Sequence, residues 1–214
     1  MDKLGSIYLN TGNIALSRNG VEHHPLKPFL PANACVLFLG SFPPQRKRWC
    51  MDFYYPNFIN DHWRLEGEVF FGDRNHFVCP DRKSFDLQAI ISFCNEKGIA
   101  FYDTATAIRR LNDNASDKFL EVVEPTDIRK LLRHLPHCKA IVTTGQKATD
   151  TLCQYFGMDE SPKTDCYIAI PDTYNAMSEQ ILLYRLPSSS RAYPLSFEKK
   201  ASAYRRMFSL MGMV

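Results

Sequence analysis

No C-x-x-C pair occurs in the chain. Its seven cysteines, Cys35, Cys50, Cys79, Cys94, Cys138, Cys153 and Cys166, are scattered and odd in number. That pattern argues against an iron–sulfur or zinc cluster and against a disulfide framework. No apolar run approaches the roughly 20 residues a membrane-crossing helix needs. The opening MDKLGSIYLNTG lacks the long apolar core of a signal peptide. A cytoplasmic protein with no membrane partner is therefore expected. Neither G-x-G-x-x-G nor G-x-x-x-x-G-K-[ST] is present, so no standard nucleotide fingerprint is offered. There is no G-x-S-x-G elbow, and Ser188, Ser189 and Ser190 have no histidine near them in sequence, which disfavours a serine hydrolase. Internal repeats and low-complexity segments are also missing. Net charge is only +3, so charge alone does not announce a nucleic-acid partner.

What is present fits one medium α/β domain. The chain has 214 residues, 45% of them hydrophobic and 23% charged, enough for a full core. Residues 1–34 read as an N-terminal extension. Ser6–Leu9 and Ile14–Leu16 flank an Asn-Thr-Gly-Asn turn and suggest a small hairpin. His23-His24-Pro25 reads as a surface lead-in rather than a metal site. From residue 35 onward, strand and helix signals alternate. Strands are expected near Cys35–Leu39, Ile99–Asp103, Lys139–Thr143 and Gln180–Leu186, with a short apolar piece at Tyr167–Ile170. Helices are expected within Phe58–Phe71, from Phe85 to Gly98, after Pro125, from Gln146 to Phe156 and from Ser196 to Met211. Arg109–Lys118 reads as a polar loop. This order predicts a three-layer α/β/α sandwich around a mainly parallel sheet of about four core strands.

Ligands bind such folds beyond the carboxyl ends of the strands. Gly40, Asp103, Thr144 and Pro187 stand at those ends. The most informative stretch is Val36–Trp63, VLFLGSFPPQRKRWCMDFYYPNFINDHW. A buried strand breaks at Gly40-Ser41-Phe42-Pro43-Pro44, crosses the cationic Arg46-Lys47-Arg48, and re-enters order through aromatics that bracket Asn60. A Gly/Pro turn followed by aromatics and an amide suits a pocket for a flat polar ligand. Leu186-Pro187-Ser188-Ser189-Ser190 is the candidate for its second half. Taken singly, Tyr54, Tyr55 and Trp63 read first as core aromatics, Asn60 as a turn or cap residue and Asp103 as a strand-end cap.

Taken as an ordered set, these stretches resemble the uracil-DNA glycosylase superfamily, and within it the hypoxanthine (deoxyinosine) DNA glycosylase branch. That branch carries L-G-S-M-P-G, then Y-Y-A-H-P-R-N-x-F-W, and later L-P-S-T-S-P-A. The matching stretches here are Leu39–Pro44, Tyr54–Trp63 and Leu186–Ala192. Its L-W-D strand end resembles Phe101-Tyr102-Asp103, its N-G-x-K-A turn resembles Thr144–Ala148, and its S-F-E-E-K helix start resembles Ser196–Lys200. The resemblance spans roughly residues 25–211.

The resemblance implies a monofunctional enzyme that hydrolyses the N-glycosidic bond of a deaminated base, uracil or hypoxanthine, flipped out of DNA. It implies no metal and no organic cofactor, because water is the second reactant. Tyr55 takes the position that stacks on the base. Asn60 matches the catalytic amide that orients water. Gly40, Ser41 and Phe42 would face the base through their backbone. Ser188, Ser190 and Arg191 would contact DNA. Asp103 and Asp61 stand as further acid candidates. The chain departs from the pattern at several positions. Phe42 stands where many superfamily members carry Asp or Asn. Pro44 replaces a Gly, Asn57-Phe58 replaces His-Pro, and His62 replaces a Phe. Leu186 stands where uracil enzymes carry a histidine. These departures keep two other readings open: a binding protein on the same scaffold, and an unrelated small nucleotide-handling α/β enzyme.

Overall fold

The computed structural model describes residues 20–111, 120–174 and 180–214. The hairpin expected at Ser6–Leu16 lies outside the described residues. The main sheet contains β2 (Val36–Gly40), β3 (Ile99–Asp103), β6 (Ala140–Thr144), β8 (Gln180–Leu186) and β7 (Cys166–Tyr174), in the order β3-β2-β6-β8-β7. Four of them run parallel and correspond to the expected core strands; β7 joins as an antiparallel fifth strand beside β8. The four residues Val36-Leu37-Phe38-Leu39 are all fully buried. That is why their pattern is continuous rather than alternating: both faces of the strand are covered.

Among the described residues, five helices flank the sheet: α1 (His62–Phe71), α2 (Leu87–Lys97), α3 (Ile128–Leu132), α4 (Gln146–Phe156) and α5 (Phe197–Leu210). Local chemistry sets their ends. Asp86 accepts a hydrogen bond from the amide of Ala89 to open α2, and Gly98, at φ 68°, closes it. Gly98 has a second reason to be glycine, because a Cβ there would meet the carbonyl oxygen of Asn33 at 2.6 Å. Ser196 caps α5 through the amide of Lys199, as its sequence suggests. The chain leaves β2 in one direction, toward β3, and leaves β6 in the other, toward β8. With right-handed crossovers, the helices of the two halves fall on opposite faces. The carboxyl ends of β2 and β6 then flank a switch point, where doubly wound folds open a crevice.

The core lies largely between the sheet and the α1/α5 layer. Phe38 stacks on Phe101 with ring centroids 5.4 Å apart, and Trp63, Tyr204 and Phe208 complete this aromatic block at 1% exposure or less. Burial of each such side chain contributes about 1.5–3 kcal/mol.

A second, three-stranded antiparallel sheet has the order β1-β4-β5, from Val21–His23, Ala105–Arg110 and Leu120–Pro125. It corrects the loop expected at Arg109–Lys118, since Arg109 and Arg110 belong to β4; residues 112–119 lie outside the described residues. Its small apolar layer, Ala105, Ile108 and Leu120, packs on Phe42. Residues 24–29 then continue along the main sheet. The backbone of Phe29 exchanges two hydrogen bonds with Phe101 at 3.0 and 2.9 Å, on the outer edge of β3.

Candidate active site

A cavity of about 210 Å³ opens at the carboxyl ends of β2, β3 and β6. Gly40, Ser41, Phe42, Tyr55, Asn60, Ser188 and Ser190 all line it, and Asp103, Thr144, Arg48 and Arg110 complete its polar wall. Every candidate site residue except Asp61 and Arg191 is thus brought to one cavity, from stretches of chain up to 150 residues apart.

Tyr55 is held on two sides. Its ring stacks on the His62 imidazole at 3.7 Å between centroids and 13° between planes, and its hydroxyl lies 2.7 Å from Oγ1 of Thr144. Its φ of 49° places it in the left-handed region that side chains rarely adopt. Strain of that kind persists only where surrounding contacts enforce it. Here the enforcement comes from buried neighbours on both sides in sequence, Tyr54 and Pro56.

Asn60 sits just before α1. Its Oδ1 accepts the amide of His62 at 2.9 Å, an Asx turn that fixes the side chain. The Nδ2 group, which makes no hydrogen bond with the described residues, is left to donate. Asp61 does not line the cavity. It is buried, and its Oδ1 accepts from Nε of Arg191 at 2.8 Å. Arg191 is half exposed and belongs to the rim.

The loop after β8 is tightly organised by its own polar groups. Ser188 Oγ accepts the amide of Ser190 at 3.2 Å, Ser189 O accepts the amide of Asp61 at 3.0 Å, and the buried Lys200 donates to Ser190 O at 2.7 Å. The amide of Ser190 is consequently committed within the loop. Ser190 Oγ in turn accepts the amide of Ala192 at 3.2 Å, and Ser188 and Ser190 both line the cavity. On the opposite rim, a short 3₁₀ turn exposes Arg46, Lys47 and Arg48, with Arg46 stacked on Trp49 at 4.3 Å.

Two features escaped the sequence reading. The first is His24. It is no surface residue: its side chain is 2% exposed, and its Nε2 lies 2.8 Å from Oδ2 of Asp103. Seventy-nine residues separate the partners, and a Pro-rich approach gives no periodic signal. The second is the histidine beneath Tyr55. His62 and Glu66, one turn apart on α1, are both fully buried, with Nε2 and Oε1 3.6 Å apart. That exceeds hydrogen-bond length. Nε2 of His62 and both Glu66 oxygens have no hydrogen-bond partner. Burial pushes the Glu66 carboxyl well up and the His62 imidazole well down, so both neutral forms are favoured.

The described residues hold no group of three or more His, Cys, Asp or Glu able to bind a metal, and no helix long and apolar enough to cross a membrane. All seven cysteines are free. No family model and no curated protein matches the chain. Among solved structures, the chain is similar to the solution NMR structure of a protein from Methanosarcina acetivorans described as "a putative Uracil DNA glycosylase". The TM-score is 0.54 at 22% identity, over 87% of this chain and 98% of that one. The likeness is one of fold.

Proposed function

We propose that this protein belongs to the uracil-DNA glycosylase superfamily and removes a deaminated base from DNA by hydrolysis. The observation that carries this reading is the convergence of Gly40–Phe42, Tyr55, Asn60 and the 188–190 loop on one cavity at a switch point of the sheet. Reactive bases are reached by flipping the nucleotide out of the helix into such a cavity. The flat aromatic wall and the polar floor suit a heterocycle. Residues 20–34 and the body from residue 35 act in this reading as one catalytic unit.

The chemistry asks little of a strong base. The bond between C1′ and the ring nitrogen breaks, the base leaves with the electron pair, and water oxygen bonds to C1′ and gives up a proton. The sugar passes through an oxocarbenium-like state, so placement of water and of charge dominates. Tyr55, locked by His62 and Thr144, offers its remaining face to the base. Asn60 Nδ2 donates to the attacking water or to the leaving base, while its Oδ1 stays engaged with α1. Hydroxyls of Ser188 and Ser190, with Arg191 and the Arg46–Arg48 turn, contact phosphates on either side. No cofactor is required. The reading places the protein with DNA, in the cytoplasm.

The test uses duplex oligonucleotides bearing uracil, hypoxanthine or xanthine, scored for alkali-sensitive strand breaks. Breaks with the wild type should fall about 100-fold or more in Asn60→Ala, with DNA affinity retained. Asn60→Asp keeps the oxygen that accepts the His62 amide and removes the donor, so it should lose activity without losing stability. Tight binding to all three duplexes with no breaks would replace the enzyme by a binding protein on this scaffold.

A further inference from the structure

We propose that His24, carried by the N-terminal segment, is a positioning residue that aims the Asp103 carboxylate so that the pocket reads the ring N–H of a deaminated base. The inference deepens the reading of this cavity as a base pocket and rests on it.

Three observations converge. First, Asp103 ends β3 on the cavity wall, with its side chain 9% exposed, deep enough to meet the edge of a bound heterocycle rather than the sugar at the mouth. Second, its two oxygens have different tasks. Oδ2 is 2.8 Å from His24 Nε2. Oδ1 lies against Gly40 so closely that a Cβ there would sit 2.3 Å from it. The register pairs Gly40 with Asp103, and the amide of Thr104 donates to Gly40 O at 2.8 Å, so the approach is built into the sheet. Third, His24 is itself fixed. The amide of Leu26 lies 3.1 Å and the carbonyl oxygen of Leu26 2.9 Å from its Nδ1. Among neutral tautomers, only the one with its proton on Nε2 supplies a hydrogen between ring and carboxylate. The rings of Phe42 and Tyr102 pack on the imidazole at 5.2 and 4.6 Å and prevent it from turning.

A carboxylate held in this way presents Oδ1 as an acceptor. Deamination of adenine or cytosine turns an amine into a carbonyl and moves a proton onto the neighbouring ring nitrogen. An atom that was an acceptor becomes a donor. With the glycosidic bond fixing the register, Asp103 accepts that N–H and repels the lone pair of the undamaged base. Asn60 Nδ2 is the complementary donor for a carbonyl. The ligand class is a base with a ring N–H beside a carbonyl, as in hypoxanthine and uracil.

The experiment compares duplexes carrying deoxyinosine or deoxyuridine with duplexes whose damaged base is methylated at that ring nitrogen. Wild type should discriminate against the methylated base by about 100-fold or more in kcat/KM. His24→Ala should lower kcat/KM on the unmethylated base about 100-fold, mainly through kcat, and collapse the discrimination. His24→Gln, whose amide can donate to Oδ2, should restore part of both. Asp103→Ala should abolish discrimination altogether. If His24→Ala and His24→Gln lose stability alike while residual activity keeps the wild-type discrimination, His24 is merely structural and the inference is overturned. If wild type cuts neither duplex, the glycosylase reading fails separately, and free hypoxanthine and uracil are titrated while the Gly40 amide resonance is followed. Binding that requires the ring N–H and His24 supports the inference. Binding of neither base, or binding indifferent to methylation, overturns it.

Discussion

Two histidine–carboxylate pairs lie among the described residues, and they are built to opposite ends. His24 and Asp103 come from distant segments, meet at 2.8 Å, and set the carboxylate into the cavity wall. His62 and Glu66 are neighbours on one helix, sit 3.6 Å apart, and face only core. The first pair has a partner for each polar atom it buries. In the second, Nε2 of His62 and both oxygens of Glu66 have none, and burial drives both groups toward neutrality. The contrast teaches that a histidine beside a carboxylate is not by itself a functional sign. What separates the pairs is whether backbone and neighbours hold the geometry and whether one atom is left for a ligand. His62 still serves the site indirectly, as the shelf on which Tyr55 lies.

The comparison can be broken most sharply at Gly40. Gly40→Ala drives a methyl into Oδ1 of Asp103 and should lower kcat/KM by about 100-fold. Urea denaturation checks that the fold survives. A fall in stability as large as the fall in activity would make Gly40 a packing residue. The sealed pair should behave in the other direction. Glu66→Leu removes two unsatisfied oxygens and should raise stability at pH 7 by about 1–3 kcal/mol, with base release unchanged.

The same substitution should flatten the pH profile of stability. A carboxyl whose folded pKa is raised favours the folded state in acid. That contribution is full below the unfolded value of about 4.3 and is lost as pH rises through the raised folded value. An imidazole whose folded pKa is lowered acts oppositely. Its contribution is present above about 6.5 and lost as pH falls through the lowered folded value. Thermal melts from pH 4 to pH 9 should show the wild type losing the Glu66 contribution on the alkaline side and Glu66→Leu retaining only the acid-side loss. The smallest effect belongs to the rim. Arg191→Ala takes the half-exposed partner from the buried Asp61 carboxylate, which keeps the attraction of Lys200, and should cost about 1 kcal/mol. It should also reduce the salt dependence of DNA affinity by about one phosphate contact. A loss of activity like that of Gly40→Ala would move Arg191 from the rim into the site.

Much of the frame was legible because burial writes itself into pattern. Val36–Leu39 is continuously apolar because both faces are covered, and Gly98 and Ser196 mark helix ends by a backbone angle and a hydrogen bond. The strand Ala105–Arg110 was not legible. Its buried positions are filled by alanine and one isoleucine, its register slips against β5, and its two arginines imitate a loop. The arginines are in fact tied down, Arg110 to Glu22 and to the carbonyl of Pro43. The cavity's composition could be read from ordered motifs, but its geometry could not. Nothing local in His-His-Pro tells of a partner across the fold. Nor does the sequence reveal that Asn60 spends its oxygen on α1 or that Tyr55 is fixed by a histidine below and a threonine beside it.

The backbone exchange between Phe29 and Phe101 has a meaning beyond geometry. β3 is the outermost strand of a parallel sheet, and an outermost strand offers unpaired amides and carbonyls to any other chain. The segment that delivers His24 to the cavity is the one that shields this strand, five residues further on. Guarding against self-association and aiming the cavity carboxylate are therefore one inheritance. Trimming the N-terminal segment would disarm the site and unmask a sticky border in the same stroke.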